Sequence, residues 1–537
     1  MAELPTPNTF QRGRRILRAL HAAGILRPRF LVSMGRSVVR HGGSLAAVVA
    51  AAELLRSSDV AIVDDAGELT FTELKRRVFS IANGLSEVGV SPGHSVGILC
   101  RNHRGFVEAT AAVSGLGADA LFLNTGFAGP QLGEVLDREG AKTLVYDEEF
   151  SGIVEAHAGK RNRIVAWHES ETGVPTLDDL ARRHAATALA KPPKPGGVTI
   201  LTSGTTGTPK GAARAQSERD TVSELGLLEV LPVRVGVNTL VCAPLFHAWG
   251  LTHAMIATTL ASTLITHRRF DPLRTLEAIA TRKVDTLVVV PIMMQRILAL
   301  GEDVIRRHDT SSLRATLSSG SALPGELALA WMDAFGDNLY NFYGSTEVAQ
   351  ATCAGPRDLR AAPGTAGRPP MGTVVEILDH KGEPVAQGET GRIFVANSSQ
   401  FDGYTGGGSK EVIRGMMSIG DVGHFDAEGR LFVEGRDDDM IVSGGENVFP
   451  REVEDLLSDH PAILEAAVIG VADSEFGERL RAFVVAREGK TIDEAAVKEH
   501  VRSQLARHKV PRDVIFLDEI PRNPTGKVLK RLLREHP

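Results

Sequence analysis

Apolar and polar positions alternate on two periods along this chain. From Ala61 onward, short runs rich in Val, Ile and Leu are separated by longer stretches whose apolar residues recur at helical spacing. Residues 96–100, 120–123, 143–146, 198–200 and 286–290 read as buried strands. Between them, residues 69–74 place Thr70 or Thr72 to cap a helix running towards Gly89, and a second helix follows through 109–116. Another helix begins near Pro291, whose fixed φ suits a first turn. Residues 317–324 read as a strand end and turn at the mouth of a helix. Strand, helix, strand at these intervals predicts a parallel α/β sheet. After about residue 370 the pattern becomes β-rich, with strands at 374–378 and 391–395, a flexible loop at 401–408 and a turn carrying Asp421. Charge interrupts the apolar pattern at Gly435-Arg436-Asp437-Asp438-Asp439, and a domain boundary is expected there. Beyond it lies a small α/β pattern: helix 452–457, strands 466–470 and 482–486, helix 494–507. The expected fold class is therefore α/β. A large N-terminal domain, 1–436, combines α/β subdomains with a β-rich one, and a small α+β domain occupies 437–537.

Composition adds few constraints. The 537 residues are 43% hydrophobic, enough for more than one core. A formal charge of -6 gives no sign of nucleic-acid binding as a main task. Cys100, Cys242 and Cys353 lie far apart, with no zinc spacing or disulfide framework, which suits a reducing cytoplasm. No apolar run is long enough to span a bilayer, and residues 45–55 suit neither a span nor a cleaved signal. The first 60 residues form a basic amphipathic extension. Arg12, Arg14, Arg15, Arg18, Arg27, Arg29, Arg36 and Arg40 interleave with Ile16, Leu17, Leu20, Ile25 and Leu26. Such a segment either lies on an anionic membrane at the inner face or packs on the protein with its charges in water.

Two stretches carry candidate chemistry. Leu201-Thr202-Ser203-Gly204-Thr205-Thr206-Gly207-Thr208-Pro209-Lys210-Gly211 follows a buried strand. Its glycines let the backbone curl so that N–H groups face inward, and the hydroxyls and Lys210 complete a concave anion site suited to a polyphosphate. It lacks the Gly-Lys-Ser/Thr ending of the usual nucleotide P-loop. Asn341-Phe342-Tyr343-Gly344-Ser345-Thr346-Glu347 combines a flat ring, a tight turn, hydroxyls and a carboxylate. The ring can stack on a base, and the carboxylate can hold Mg²⁺, which prefers few protein oxygens plus phosphate. Asp421 can accept hydrogen bonds from two ribose hydroxyls or serve as an ordinary turn acid. His247, in Pro244-Leu245-Phe246-His247-Ala248-Trp249, lines a pocket or is a satisfied core residue. Pro524-Thr525-Gly526-Lys527 fixes a turn with a lysine at its tip.

Taken together and in this order, these motifs resemble the adenylate-forming superfamily of acyl-CoA synthetases, peptide-synthetase adenylation domains and beetle luciferases. The resemblance runs from about Ala61 to the end and looks strongest to bacterial fatty-acyl-CoA synthetases of the FadD type. It implies a mobile C-terminal lid and two half-reactions: a carboxylate attacks the α-phosphate of Mg-ATP, then the thiol of coenzyme A displaces AMP. By resemblance, Thr202, Ser203, Gly204, Thr205, Thr206, Gly207 and Lys210 would hold phosphates, Glu347 would bind Mg²⁺ and Thr346 the α-phosphate. Gly320, Ser321, Ala322, Tyr343 and Gly344 would frame adenine, and Asp421 and Arg436 would hold the ribose. Lys527 would bridge carboxylate and phosphate, Asp438 would be the hinge, and Ser443, Gly444 and Gly445 would line the coenzyme A channel. Amino-acid-activating members place an aspartate near residues 246–249, where this chain has His247, expected with Lys527, Thr346 and Glu347 among the catalytic residues.

The expectation is a medium- to long-chain fatty acid–CoA ligase, with an aryl acid–CoA ligase or an acyl-AMP ligase as alternatives. A homodimer is compatible with it. Phe342 stands where a glycine is frequent and is expected to narrow the acyl pocket. Ile419 stands where many members have Thr.

Overall fold

The computed structural model describes residues 9–202, 210–214, 226, 230–401, 403–405, 407–443, 446–473, 477–524 and 526–536. Its first helices are α1 (Thr9–Ala23), α2 (Pro28–His41) and α3 (Leu45–Arg56). Two largely parallel sheets then form the bulk of the N-terminal unit. The first has eight strands. Its six inner strands, among them Thr286–Val289, Ala315–Ser318 and Leu339–Tyr343, are parallel, and the outer two are antiparallel. The second has seven strands, with Ser95–Leu99, Asp119–Phe122, Thr143–Asp147 and Val198–Thr202 at its centre. The continuous apolar runs read as strands are these central ones, covered on both faces, as parallel sheets require.

Local rules explain the joints. Thr70 caps the helix Phe71–Glu87 by accepting from the Glu73 amide, and Glu73 returns the bond to the Thr70 amide. Pro291 occupies the first turn of Pro291–Leu298, and the helix Gly325–Phe335 follows Ala315–Ser318 across a turn. A five-stranded antiparallel sheet contains Val374–Leu378, Gly391–Ala396, Met416–Phe425 and Leu431–Arg436. The chain crosses a short 3₁₀ turn, Asp437–Asp439, and enters a separate five-stranded sheet at Ile441–Ser443. Helices Pro450–Ser458 and Glu494–Gln504 pack on that last sheet.

Three expectations need correction. Asp421 does not sit in a turn. It lies inside the strand Met416–Phe425, opposite Arg436, because Gly420 takes φ +85° and lets the chain bend without leaving the ladder. The stretch 401–408 is not wholly loop, since Gly403–Tyr404 pairs with Ala212 and Ala213. The last long helix ends at Gln504, and Arg507–Lys509 forms a separate 3₁₀ turn before Pro511.

Candidate active site

The C-terminal ends of the parallel strands are where open α/β sheets bind ligands, and the second motif lies there. Leu339–Tyr343 ends at Tyr343, and Gly344, Ser345 and Thr346 follow it out of the sheet. The Tyr343 hydroxyl donates to Asp421 Oδ2 at 2.6 Å, and Arg436 reaches Asp421 Oδ1 at 3.4 Å. Burial pushes the Asp421 carboxyl up, and Tyr343, Arg436, Lys527 and Arg451 act against that shift. The same burial, with the Asp421 charge beside it, pushes the Tyr343 phenol well up, so it remains a hydrogen-bond donor. Three residues from three sequence regions therefore meet in one hydrogen-bonded cluster.

Glu347 is buried. Its Oε1 accepts from the Tyr404 hydroxyl at 2.7 Å, and its backbone carbonyl accepts from the Phe401 amide. No cation among the described residues pairs with it. Tyr404 also belongs to the strand paired with Lys210–Arg214, and Thr405 exchanges hydrogen bonds with Gly211. The segment read as a flexible loop is thus the tie between the glycine-rich motif and the carboxylate. Thr202 and Lys210 face each other at the paired ends of Val198–Thr202 and Lys210–Arg214. Their backbones are described and their side chains are not. Ser203, Gly204, Thr205, Thr206 and Gly207 lie outside the described residues, as do Gly444, Gly445 and Thr525. Gly320, Ser321 and Ala322 follow Ala315–Ser318 at the same sheet edge, solvent-accessible or half-buried.

Lys527 is brought to this cluster by the C-terminal unit. Its amide donates to Asn523 Oδ1, the Gly526 amide donates to the Asn523 carbonyl, and Arg522 donates to the Gly526 carbonyl while pairing with Glu465. Gly526 has φ +82°, and a Cβ there would lie 2.7 Å from Ile292 Cγ2, so the turn needs glycine to dock against the first sheet. Gln295 Nε2 donates to the Leu464 carbonyl at 2.5 Å across the same interface, and Arg296 pairs with Glu519. At the connection between the units, Asp437 pairs with Arg392 of the N-terminal unit and Asp439 with Lys530 of the C-terminal one. Asp438 stands between them, its backbone described and its side chain not. Ser443 ends the strand Ile441–Ser443, its backbone alone described.

A second group, of aromatic and imidazole side chains, packs near the same strand. His247 precedes the helix Ala248–Thr259, and its ring lies 4.5 Å from Phe246. Trp249 donates to the Val289 carbonyl at 3.0 Å, and its ring lies 4.1 Å from His253 and 5.4 Å from Phe342. Phe342 immediately precedes Tyr343, so the two halves share one strand. Burial lowers both His247 and His253 to about 4, and neither Nε2 has a hydrogen-bond partner among the described residues. Sequence reasoning missed Tyr404, Arg451 and His253. The four-residue spacing of Trp249 and His253 on one helix was the available signal for the last.

The buried group Cys100, His103 and Asp147 is a different matter. The Gly105 amide donates to His103 Nδ1, and His103 Nε2 donates to Asp147 at 2.8 Å. Nδ1 caps the helix Arg104–Gly115 and Nε2 is held by Asp147, so both ring nitrogens are engaged.

Comparison with known proteins places this arrangement. Residues 50–405 match the family model for AMP-binding enzymes, and residues 452–527 match the C-terminal domain of AMP-binding enzymes. The chain belongs to the AMP-binding enzyme family. It is similar to a feruloyl-CoA synthase of an Amycolatopsis species, 36% identical over 471 residues that cover 87% of this chain and 93% of that protein. It is also 33% identical to an indoleacetate–CoA ligase of Aromatoleum aromaticum, with the same shares covered. Among solved structures, the anthranilate CoA ligase AuaEII in complex with anthranoyl-AMP superposes with a TM-score of 0.82 at 26% identity, covering 92% of this chain and 96% of that one. These relatives put the chain in the AMP-forming acid–CoA ligases of this family. They do not single out the fatty-acyl-CoA synthetases that the motifs suggested.

Proposed function

We propose that this protein is an ATP-dependent aryl acid–CoA ligase. The observation that carries the reading is the aromatic half of the site. Trp249 meets both His253 and Phe342, the residue before Tyr343 in its strand, and Phe246 packs on His247 just ahead of the Trp249 helix. A planar acid can stack among such rings at offset or edge geometry. Phe342, where a glycine would leave room for a chain, closes that side. Three of the similar proteins are named for ferulate, indoleacetate and anthranilate, which supports the same choice over a long alkyl chain.

The reaction brings two anions together, so charge must be neutralised where the carboxylate oxygen meets the α-phosphorus. The carboxylate forms an O–P bond and pyrophosphate leaves. The thiol of coenzyme A then forms a C–S bond at the acyl carbon, and AMP leaves. Asp421, held by Tyr343 and Arg436, would accept hydrogen bonds from the ribose hydroxyls. Thr346, beside Glu347, would meet the α-phosphate. Glu347 fits a cation site, being a buried carboxylate with a tyrosine on one oxygen and no ion-pair partner among the described residues. It would hold Mg²⁺, which supplies electrostatic screening of the phosphates when bound. Lys527, close enough to act on Asp421, would neutralise the meeting oxygens in the first half-reaction. It would leave with the C-terminal unit, turning at Asp438, before the thiol enters along residues 443–445.

The test is thioester formation from benzoate, cinnamate, ferulate and indoleacetate against octanoate to stearate, with ATP, Mg²⁺ and coenzyme A. Aryl acids are expected to give the higher kcat/KM. Burying each methylene is worth roughly 0.8 kcal/mol. A rise of about fifteenfold per two carbons along the fatty series would overturn the aryl assignment. Adenylate without thioester from every acid would move the protein to the acyl-AMP ligases.

A further inference from the structure

The helix α2 packs on the protein by its less apolar side. Its inward residues are Phe30, Ser33, Ser37 and His41, all under one-tenth exposed. Its outward residues include Leu31 at 50%, Val32 at 56%, Val38 at 44% and Val39 at 79% exposure. At 100° per residue, Leu31, Val32, Gly35, Val38 and Val39 form one continuous outward stripe, and Arg29, Arg36 and Arg40 fall together along one border of it. All three arginines are exposed, and none pairs with a carboxylate among the described residues. The neighbouring α1 covers more of its apolar side, with Ala23 buried and Ile16 and Leu20 partly covered, though Leu17 is 58% exposed, and its Arg14 and Arg18 lie in water. No Asp or Glu occurs between Glu3 and Glu53.

We infer that the outward face of α2 is a docking surface for an anionic lipid bilayer, which α2 enters lying flat. Branched apolar side chains in a stripe, with arginines at its border and no acid nearby, match the acyl–headgroup boundary of such a membrane. The stripe from Leu31 to Val39 rises only about 12 Å along the helix, so it can lie in an interface and cannot cross one. No described helix is long and apolar enough to cross a membrane. Charge argues against a second copy on this face, because a two-fold contact would set Arg29, Arg36 and Arg40 against their own images with no acid on either helix. The inference is independent of which acid the enzyme activates.

The full chain should co-sediment with vesicles of 30% phosphatidylserine in phosphatidylcholine at low salt, and at least tenfold less with pure phosphatidylcholine. Replacing Arg29, Arg36 and Arg40 with Gln should weaken binding about a hundredfold, at roughly fivefold per arginine near the surface. The triple variant Leu31→Gln, Val32→Gln, Val39→Gln should abolish it. All six positions are exposed, so adenylate formation and thermal midpoint should stay at the parent values and report intact folding. Absence of binding to phosphatidylserine vesicles, or binding unchanged in both variants, overturns the inference. So does a lipid-free dimer, seen by sedimentation velocity, that the Leu31, Val32, Val39 variant dissociates.

Discussion

The two halves of the candidate site are built on opposite principles. In the half proposed for the nucleotide, polar groups among the described residues are already engaged: Tyr343 on Asp421, Arg436 on Asp421, Tyr404 on Glu347. In the half proposed for the acid, two imidazoles sit beside aromatic rings, each with a nitrogen unpartnered among the described residues. The first half is preorganised, so its donors and acceptors need no rearrangement when charge develops. The second is a packed group of rings, in which an unpartnered nitrogen favours a ligand that can meet it. On the proposed reading, the chemistry of the family belongs to the first kind of construction, and choice of acid to the second.

Breaking the junction between the halves should have the largest effect. Lys527→Ala is expected to lower adenylate formation by about 10²–10³-fold, the range for removing one preorganised electrostatic group. Thioester formation from supplied aryl-adenylate should stay within severalfold of the parent. Pyrophosphate release and single-turnover thioester assays measure the two steps, and equal losses in both would sink the moving-lid account. Phe342→Ala comes next. It should cost about 3 kcal/mol of stability and raise KM for the aryl acid, leaving KM for ATP nearly unchanged. Asp421→Asn should do the reverse. KM for ATP should rise about thirtyfold, or about 2 kcal/mol, through loss of charge-assisted bonds, and KM for the acid should hold. If both variants moved both constants together, the division into halves would be wrong.

Acid pH gives the smallest and most selective probe. Burial holds His247 and His253 near 4 in the folded chain, against 6.5 for the free side chain. Below about pH 6.5 the unfolded chain takes up protons that the folded chain refuses. Stability therefore falls as pH drops from 6.5 towards 4, by about 2 kcal/mol per histidine at pH 5. Denaturation midpoints measured from pH 7 to 5 should show this decline, and His253→Asn should flatten part of it. An unchanged slope in that variant would show that His253 is not buried neutral.

Much of the fold was legible because its signals are local. A β-branched run, a Thr-x-x-Glu cap and a proline at a helix start act within a few residues, and strands and helices formed where they predicted. Asp421 was misjudged because Gly-Asp reads as a turn, whereas pairing with Leu431–Arg436 keeps it in a strand. Tyr404 was hidden in a glycine-rich stretch whose order comes from Ala212 and Ala213, about 190 residues earlier in the chain. The choice between a fatty and an aryl acid stayed open in the motifs for a related reason. The motifs describe the nucleotide half, and the acid half is a set of rings that only packing brings together.

By itself the sequence determined the α/β class, the order of the strands and helices, the family motifs and the arginine-rich start, since each depends on residue type and short spacing. Only the tertiary structure decided which carboxylate Tyr343 meets, that Tyr404 ties the glycine-rich strand to Glu347, that Trp249 packs between His253 and Phe342, and that α2 turns its apolar stripe outward. Periodicity fixes which residues share a face of a helix. Which face is buried depends on what the rest of the chain packs against it.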